Sequence, residues 1–117
     1  MVVFDAHPDV VHDFTPPTQE DYLRVLISQN IVKPENVFLI GIRNWDTIEF
    51  NFLNEKNIRY VTCKELFDKG IKEITNDLLS FVDRPTYLSF DIDAIDPVEA
   101  IGTGYLEHGG LSSREVI

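Results

Sequence analysis

The sequence contains a single cysteine, Cys63. That count excludes an intramolecular disulfide and a cysteine-based zinc cluster, and it fits a reducing compartment. Basic residues are scarce. Ten Lys and Arg stand against 20 Asp and Glu, a formal charge of -10. Phosphate binding needs the opposite sign, so no nucleic acid is expected as a partner. No apolar run approaches the roughly 18 residues of a membrane span. The N-terminal Met-Val-Val-Phe-Asp has neither the basic stretch nor the cleavage site of a signal peptide. Internal repeats, low-complexity tracts and linkers are also missing. These absences lead to the expectation of a cytoplasmic, soluble protein with no membrane partner.

With 44% hydrophobic and 11% aromatic residues, the 117-residue chain can build one core and is too short for two ordinary ones. A single domain over residues 1–117 is therefore expected. The charged fraction of 26% is near the average for folded proteins, which argues against disorder. The acidic excess reads in two ways: a solvated surface, or carboxylates that hold metal ions or attract a cationic substrate. Position along the chain bears on the choice.

Four nearly continuous apolar runs, Val2–Phe4 and residues 37–42, 58–61 and 87–90, read as strands buried on both faces, as in a parallel sheet. Helical patterns lie between them. Thr18 followed by Asp21 resembles a capping box opening a helix over 19–28, with Tyr22, Leu23, Leu26 and Ile27 on one face. A second helix is expected over 46–55, with Ile48, Phe52 and Leu53 as its apolar side. A third falls within 64–82, broken near Gly70, with Ile71, Ile74, Leu78 and Phe81 as its stripe. Strand–helix alternation predicts an α/β domain with a parallel sheet and right-handed crossovers.

The first polar cluster, Asp5-Ala6-His7-Pro8-Asp9, directly follows an apolar strand. Ligands gather outside the carboxyl ends of parallel strands, and alternate Asp, His and Asp on an extended loop can converge on one point. Imidazole and carboxylates without thiolate suit manganese, iron, zinc or magnesium. The competing reading is a polar loop with capping aspartates and a surface histidine. The second cluster, Ser89-Phe90-Asp91-Ile92-Asp93-Ala94-Ile95-Asp96-Pro97, also follows an apolar strand. Asp91 and Asp93 would share one side of an extended chain, where their repulsion calls for a cation. Asp96 before Pro97 reads as a turn or capping residue. The third stretch runs from Gly102-Thr103-Gly104 through Glu107, His108, Gly109 and Gly110 to Leu111, Ser112, Ser113, Arg114 and Glu115. Alone it is a glycine-rich loop, with Ser112 or Ser113 and Glu115 able to cap a helix.

Together and in this order, the three stretches resemble the ureohydrolase family of arginase, agmatinase and formiminoglutamase. Its patterns are D-A-H-x-D, S-x-D-x-D-x-x-D-P and G-T-G-x-x-E-x-G-G-L-x-x-R-E, each present with its spacing intact from Asp5 to Glu115. The third is closer to the agmatinase version. The resemblance implies an α/β/α sandwich of the arginase/deacetylase type and a site for two Mn2+ ions. Asp5 and Asp91 are implied as bridging ligands, His7 and Asp93 as ligands of one ion, and Asp9 of the other. Thr103 falls near the expected position of the substrate guanidinium. Ile40-Gly41-Ile42-Arg43 resembles a strand end of the family. Asp46 falls where the resemblance implies a substrate contact, with helix capping as its other reading. Asp9 and His12 are the candidate catalytic residues, with His12 read either as a substitute for the family's proton-shuttling loop histidine or as a solvent-exposed or supporting histidine. His108 is expected on the surface and Cys63 as a small buried apolar residue.

The implied activity is metal-assisted hydrolysis of a small cationic guanidine, agmatine-like, by a metal-bridging hydroxide, with release of urea. Family members carry another ligand histidine in an upstream Gly-Gly-Asp-His motif and a guanidinium-binding glutamate beyond the third motif. Neither lies in these 117 residues, so a partial domain, incomplete at both ends, is expected. A truncated gene, a naturally minimal homologue and an oligomer that fills the missing surface each account for the gap, and a homo-oligomer is the expected assembly. The alternative function is an inactive homologue acting through metal binding or association.

Overall fold

The period-two alternation of short apolar strands decides the layering. In the computed structural model, which describes residues 1–117, β1 (Val2–Phe4), β2 (Phe38–Ile42), β3 (Arg59–Thr62) and β4 (Leu88–Phe90) form one sheet in the order β3-β2-β1-β4. Every pairing is parallel. Val3 and Leu39 point to one face, among Leu23, Ile27, Phe52 and Leu53. Val2, Phe38, Ile40 and Val61 point to the other, among Leu66 and Ile74.

Those partners come from different helices. α1 (Tyr22–Ser28) and α2 (Thr47–Glu55) cover the first face, while α3 (Cys63–Lys69) and α4 (Ile71–Phe81) cover the second. Right-handed crossovers explain this division. From β1 to β3 the chain advances toward one edge, placing α1 and α2 on one side. It then returns across the sheet to set β4 beside β1, so α3 and α4 fall on the opposite side. The result is the expected α/β/α arrangement, with the break near Gly70 separating α3 from α4. A short α5 (Ser113–Val116) ends the chain.

Local details differ from the sequence pattern in four places. Thr18 does not cap α1, which begins at Tyr22 after Asp21. Instead the buried Asp21 carboxylate accepts from the Thr18 N–H and hydroxyl and from the Phe14 N–H, tying the preceding loop. Such a short side chain satisfies nearby backbone more cheaply than it extends a helix. The apolar side of α2 is also narrower than expected, because Ile48 is exposed while Glu49 is buried. Beyond Asp91 the chain is not extended. It turns into a 3-10 helix, Ile92–Ala94, with the Asp91 side chain accepting from the Asp93 N–H. Lastly, β4 is not buried on both faces: Leu88 and Phe90 are 59% and 40% exposed. It is an edge strand that pairs with β1 alone.

At Gly41 the β2–β3 register shifts, so that Ile40 pairs with Val61 and Ile42 with Thr62. The extra residue is a β-bulge, and it restores Ile42 to the α1/α2 side despite its even spacing from Ile40. Gly41 has φ +99, and a Cβ there would meet the Asp5 carbonyl at 3.2 Å. Glycine is thus required where β2 closes against the loop after β1.

Candidate metal centre

The ends of β1 and β4 flank the point where strand order reverses, and such a switch point opens a crevice at the carboxyl side of the sheet. Here the crevice is a cavity of about 330 Å³. Asp5 follows β1 and Asp91 follows β4, and the pairing of these two strands brings the first two sequence clusters together.

Asp5, His7 and Asp93 each offer a ligand atom within 4.8 Å of the others. His7 Nδ1 lies 3.1 Å from Asp93 Oδ2 and 3.7 Å from Asp5 Oδ1. Backbone donors fix the carboxylates: the His7 N–H donates to Asp5 Oδ1 at 2.8 Å, and the Ala6 N–H to Asp93 Oδ1 at 3.1 Å. Asp91 and Asp9 line the same cavity outside this tight triad. Asp9 occupies the left-handed region at φ 54, which a short polar side chain tolerates. Asp46 also lines the cavity, while serving as the N-cap of α2. His12 is exposed and Thr103 half-buried, and neither lines the cavity. His108 is exposed and Cys63 buried.

Charge is concentrated here. Seven of the 13 lining residues are Asp or Glu and none is Lys or Arg. Burial, reinforced by the charges of Asp93 and Asp91, lifts the Asp5 carboxyl to about 6 against the hydrogen bonds from His7. Burial and the charge of Asp5 lift Asp9 to about 8. Hydrogen bonds to Asp5 and Asp93 raise His7 to about 10. For Asp93, burial pushes upward, but hydrogen bonds from His7 and Ala6 outweigh it and hold the carboxyl below its ordinary value. Carboxylates so buried and so close resist ionising together, and a divalent cation relieves both burial and repulsion. Oxygen and imidazole donors without thiolate match a hard or borderline ion. The residues therefore fit a metal.

A profile described as Arginase family matches residues 1–117. Arginase from Staphylococcus aureus (strain COL) is 33% identical over 132 residues, covering 98% of this chain and 44% of that protein. The chain belongs to the arginase family. Agmatinase from Bacillus subtilis (strain 168) is 30% identical over 117 residues, 100% of this chain and 39% of that protein. A crystal structure of arginase from Bacillus subtilis superposes with a TM-score of 0.89 at 29% identity, over 97% of this chain and 46% of that one. This arginase-family chain thus spans less than half the length of these relatives.

The sequence motifs left several residues of the site unassigned. Glu49 is buried on α2, where it closes a capping box with Asp46 and accepts from the Val10 N–H at 3.2 Å, anchoring the loop after β1. Its D-x-x-E spacing from Asp46 was the available signal. Tyr105 sets its ring edge-on to His7, with centroids 5.7 Å apart, and Trp45 forms another aromatic wall. Glu107 and Asn44 approach the far side of His7, with Glu107 Oε1 3.5 Å from Nε2. Glu107 is the fixed glutamate of the third motif, whose role the pattern left open; nothing in the local sequence links it to Asn44, and the fold brings the two together.

Proposed function

We propose that this site binds two divalent ions, Mn2+ by family resemblance, and hydrolyses a small cationic guanidine of the agmatine type with release of urea. The observation carrying the reading is the convergence of Asp5, His7 and Asp93 in an acidic cavity at the β1/β4 switch point. In this assignment Asp5, His7, Asp9, Asp91 and Asp93 would hold the ions, with Asp5 and Asp91 shared between the two, His7 and Asp93 given to one and Asp9 to the other. The bound ions would lower the pKa of water so that a hydrolytic nucleophile exists near neutral pH.

The chain's own residues do the rest. The carboxylates give the cavity a negative field that attracts a cation and disfavours anionic ligands. Trp45 and Tyr105 line the cavity, where an aromatic ring can stack on a planar guanidinium. Asp46 is assigned to the substrate's distal amine and Thr103 to the guanidinium end. Asp9 is kept as a candidate catalytic carboxylate, and His12, which would have to move from its exposed position to reach the cavity, is assigned to proton transfer to the leaving amine. His12→Ala is then expected to lower kcat by about 10²-fold or more with metal content unchanged. A homo-oligomer in the cytoplasm, with the buried thiol of Cys63 reduced, belongs to the same proposal.

The test is metal analysis and urea release from agmatine and arginine after manganese reconstitution, for the wild-type chain and Asp91→Ala. The proposal expects bound manganese and urea from agmatine for wild type, and loss of both for the variant. Absence of bound metal in the reconstituted wild-type chain would overturn it.

A further inference from the structure

We propose that Arg43 is the positioning residue of this centre, acting through Asp93 and Glu107 on the imidazole of His7. Its guanidinium is half-buried at the end of β2 and forms no ion pair with any carboxylate. Its hydrogen bonds go almost wholly to main-chain oxygens. Nη1 donates to the Gly41 carbonyl at 3.1 Å and reaches Cys63 Sγ at 3.7 Å. Nη2 donates to the carbonyls of Asp93 at 2.5 Å and Glu107 at 2.6 Å. Nε donates to the carbonyls of Glu107 at 3.2 Å and His108 at 3.3 Å.

One planar cation therefore gathers three segments: the bulged end of β2, the turn after β4 and the glycine-rich loop. Two of the residues whose main chain it holds present carboxylates to opposite edges of one ring. Asp93 Oδ2 is 3.1 Å from His7 Nδ1, and Glu107 Oε1 is 3.5 Å from His7 Nε2. Asn44, next to Arg43, supports the second contact by donating to Glu107 Oε1 at 2.9 Å. The packing leaves no slack, because a Cβ at Gly110 would sit 2.7 Å from Arg43 Nη2. A rigid five-donor fork satisfies this set of acceptors, and a lysine ammonium with a single nitrogen cannot reach them together. Ligand histidines are oriented by partners on their other ring nitrogen, and that is the place Glu107 takes.

The metal consequence rests on the two-ion reading above, whereas the effect on the His7 ring does not. The experiment compares wild type, Arg43→Lys, Glu107→Gln and a control, Ile74→Val, on the far face of the sheet. Ring 15N and 1H shifts of His7 are measured without metal at fixed pH, with thermal melts and Mn2+ titration by electron paramagnetic resonance alongside. Arg43→Lys is expected to move both ring-nitrogen signals and weaken Mn2+ about 10- to 100-fold. Glu107→Gln is expected to move Nε2 chiefly, and Ile74→Val neither. Unmoved His7 signals in a folded Arg43→Lys, or equal movement in Ile74→Val, overturn the proposal. If Arg43→Lys fails to fold, Glu107→Gln still decides it, since an unmoved Nε2 also overturns it. A wild-type chain that takes up no Mn2+ defeats the two-ion reading alone and leaves the ring shifts as the test of Arg43.

Discussion

Asp5, Asp9 and His7 sit in one acidic cavity, and their protonation is linked to folding. Asp5 and Asp9 have pKa values of about 6 and about 8 in the folded chain against an ordinary 3.8. His7 stands at about 10 against 6.5. Each folded value lies above the unfolded one, so the folded chain binds more protons and loses stability as pH rises. The two carboxyls act between about pH 4 and 8, and His7 between about 6.5 and 10. Asp93, held below its ordinary value, acts in the opposite sense only in more acidic solution. The metal-free chain is therefore expected to melt at progressively lower temperature from pH 5 to 9. Saturating Mn2+ should flatten that slope. Melts in chelator and in manganese measure both, and a rise in the metal-free melting temperature across this range would contradict the assignment. Asp46 bears on the same cavity. Asp46→Asn keeps a good N-cap, so stability should change by no more than about 0.5 kcal/mol. If Asp46 also meets the substrate amine, KM for agmatine should rise while the unfolding curve stays in place.

At the scale of elements, local hydrogen-bonding signals placed the helices and the loops they hold. Asp46 with Glu49, Thr62 with Glu65 and Ser112 with Glu115 each form a reciprocal capping box at the start of α2, α3 and α5. Glu49 does more than cap, because its other oxygen holds the Val10 N–H in the loop after β1. Glu49→Ala is expected to cost about 1–3 kcal/mol through the unpaired buried donor, with roughly 1 kcal/mol more from the lost cap. Urea unfolding measures the sum, and a change below that of Asp46→Ala would show that the Val10 contact is unimportant. Gly41→Ala tests the bulge. Its φ of +99 and the nearby Asp5 carbonyl leave no strain-free position for a methyl group. The variant should lose about 1–3 kcal/mol and disturb Asp5.

At the scale of the whole molecule, the free edge of β4 stands out. Tyr87, Leu88, Phe90 and Ile92 are all exposed along it. An uncovered apolar edge pairs readily with another chain. In a chain of the relatives' length a further strand can cover this edge; in the homo-oligomer proposal a second copy of this chain covers it. Leu88→Lys is then expected to lower the mass seen by light scattering while leaving the circular dichroism spectrum intact. An unchanged mass would place the interface elsewhere or show that none exists.

Much of this architecture was legible without coordinates. Continuous apolar runs bounded by turn residues marked all four strands, although only β2 is buried along its whole length and the edge strands β3 and β4 are partly exposed. Polar clusters at strand ends put Asp5, His7, Asp9, Asp91 and Asp93 forward as candidates, and all five line the same cavity. Helical stripes marked the buried sides of α1 and α4. What local pattern could not supply was strand order. Placing β4 beside β1 is a long-range choice, and it alone brings His7 to 3.1 Å from Asp93 across 86 residues. The same choice sets Arg43 under Asp93 and Glu107, residues whose spacing carries no periodic signal. Residue types thus nominated the candidate donors and the strands that bear them. Tertiary packing decided which donors meet, because contacts between distant segments depend on sheet order and crossover hand rather than on any neighbour in the chain.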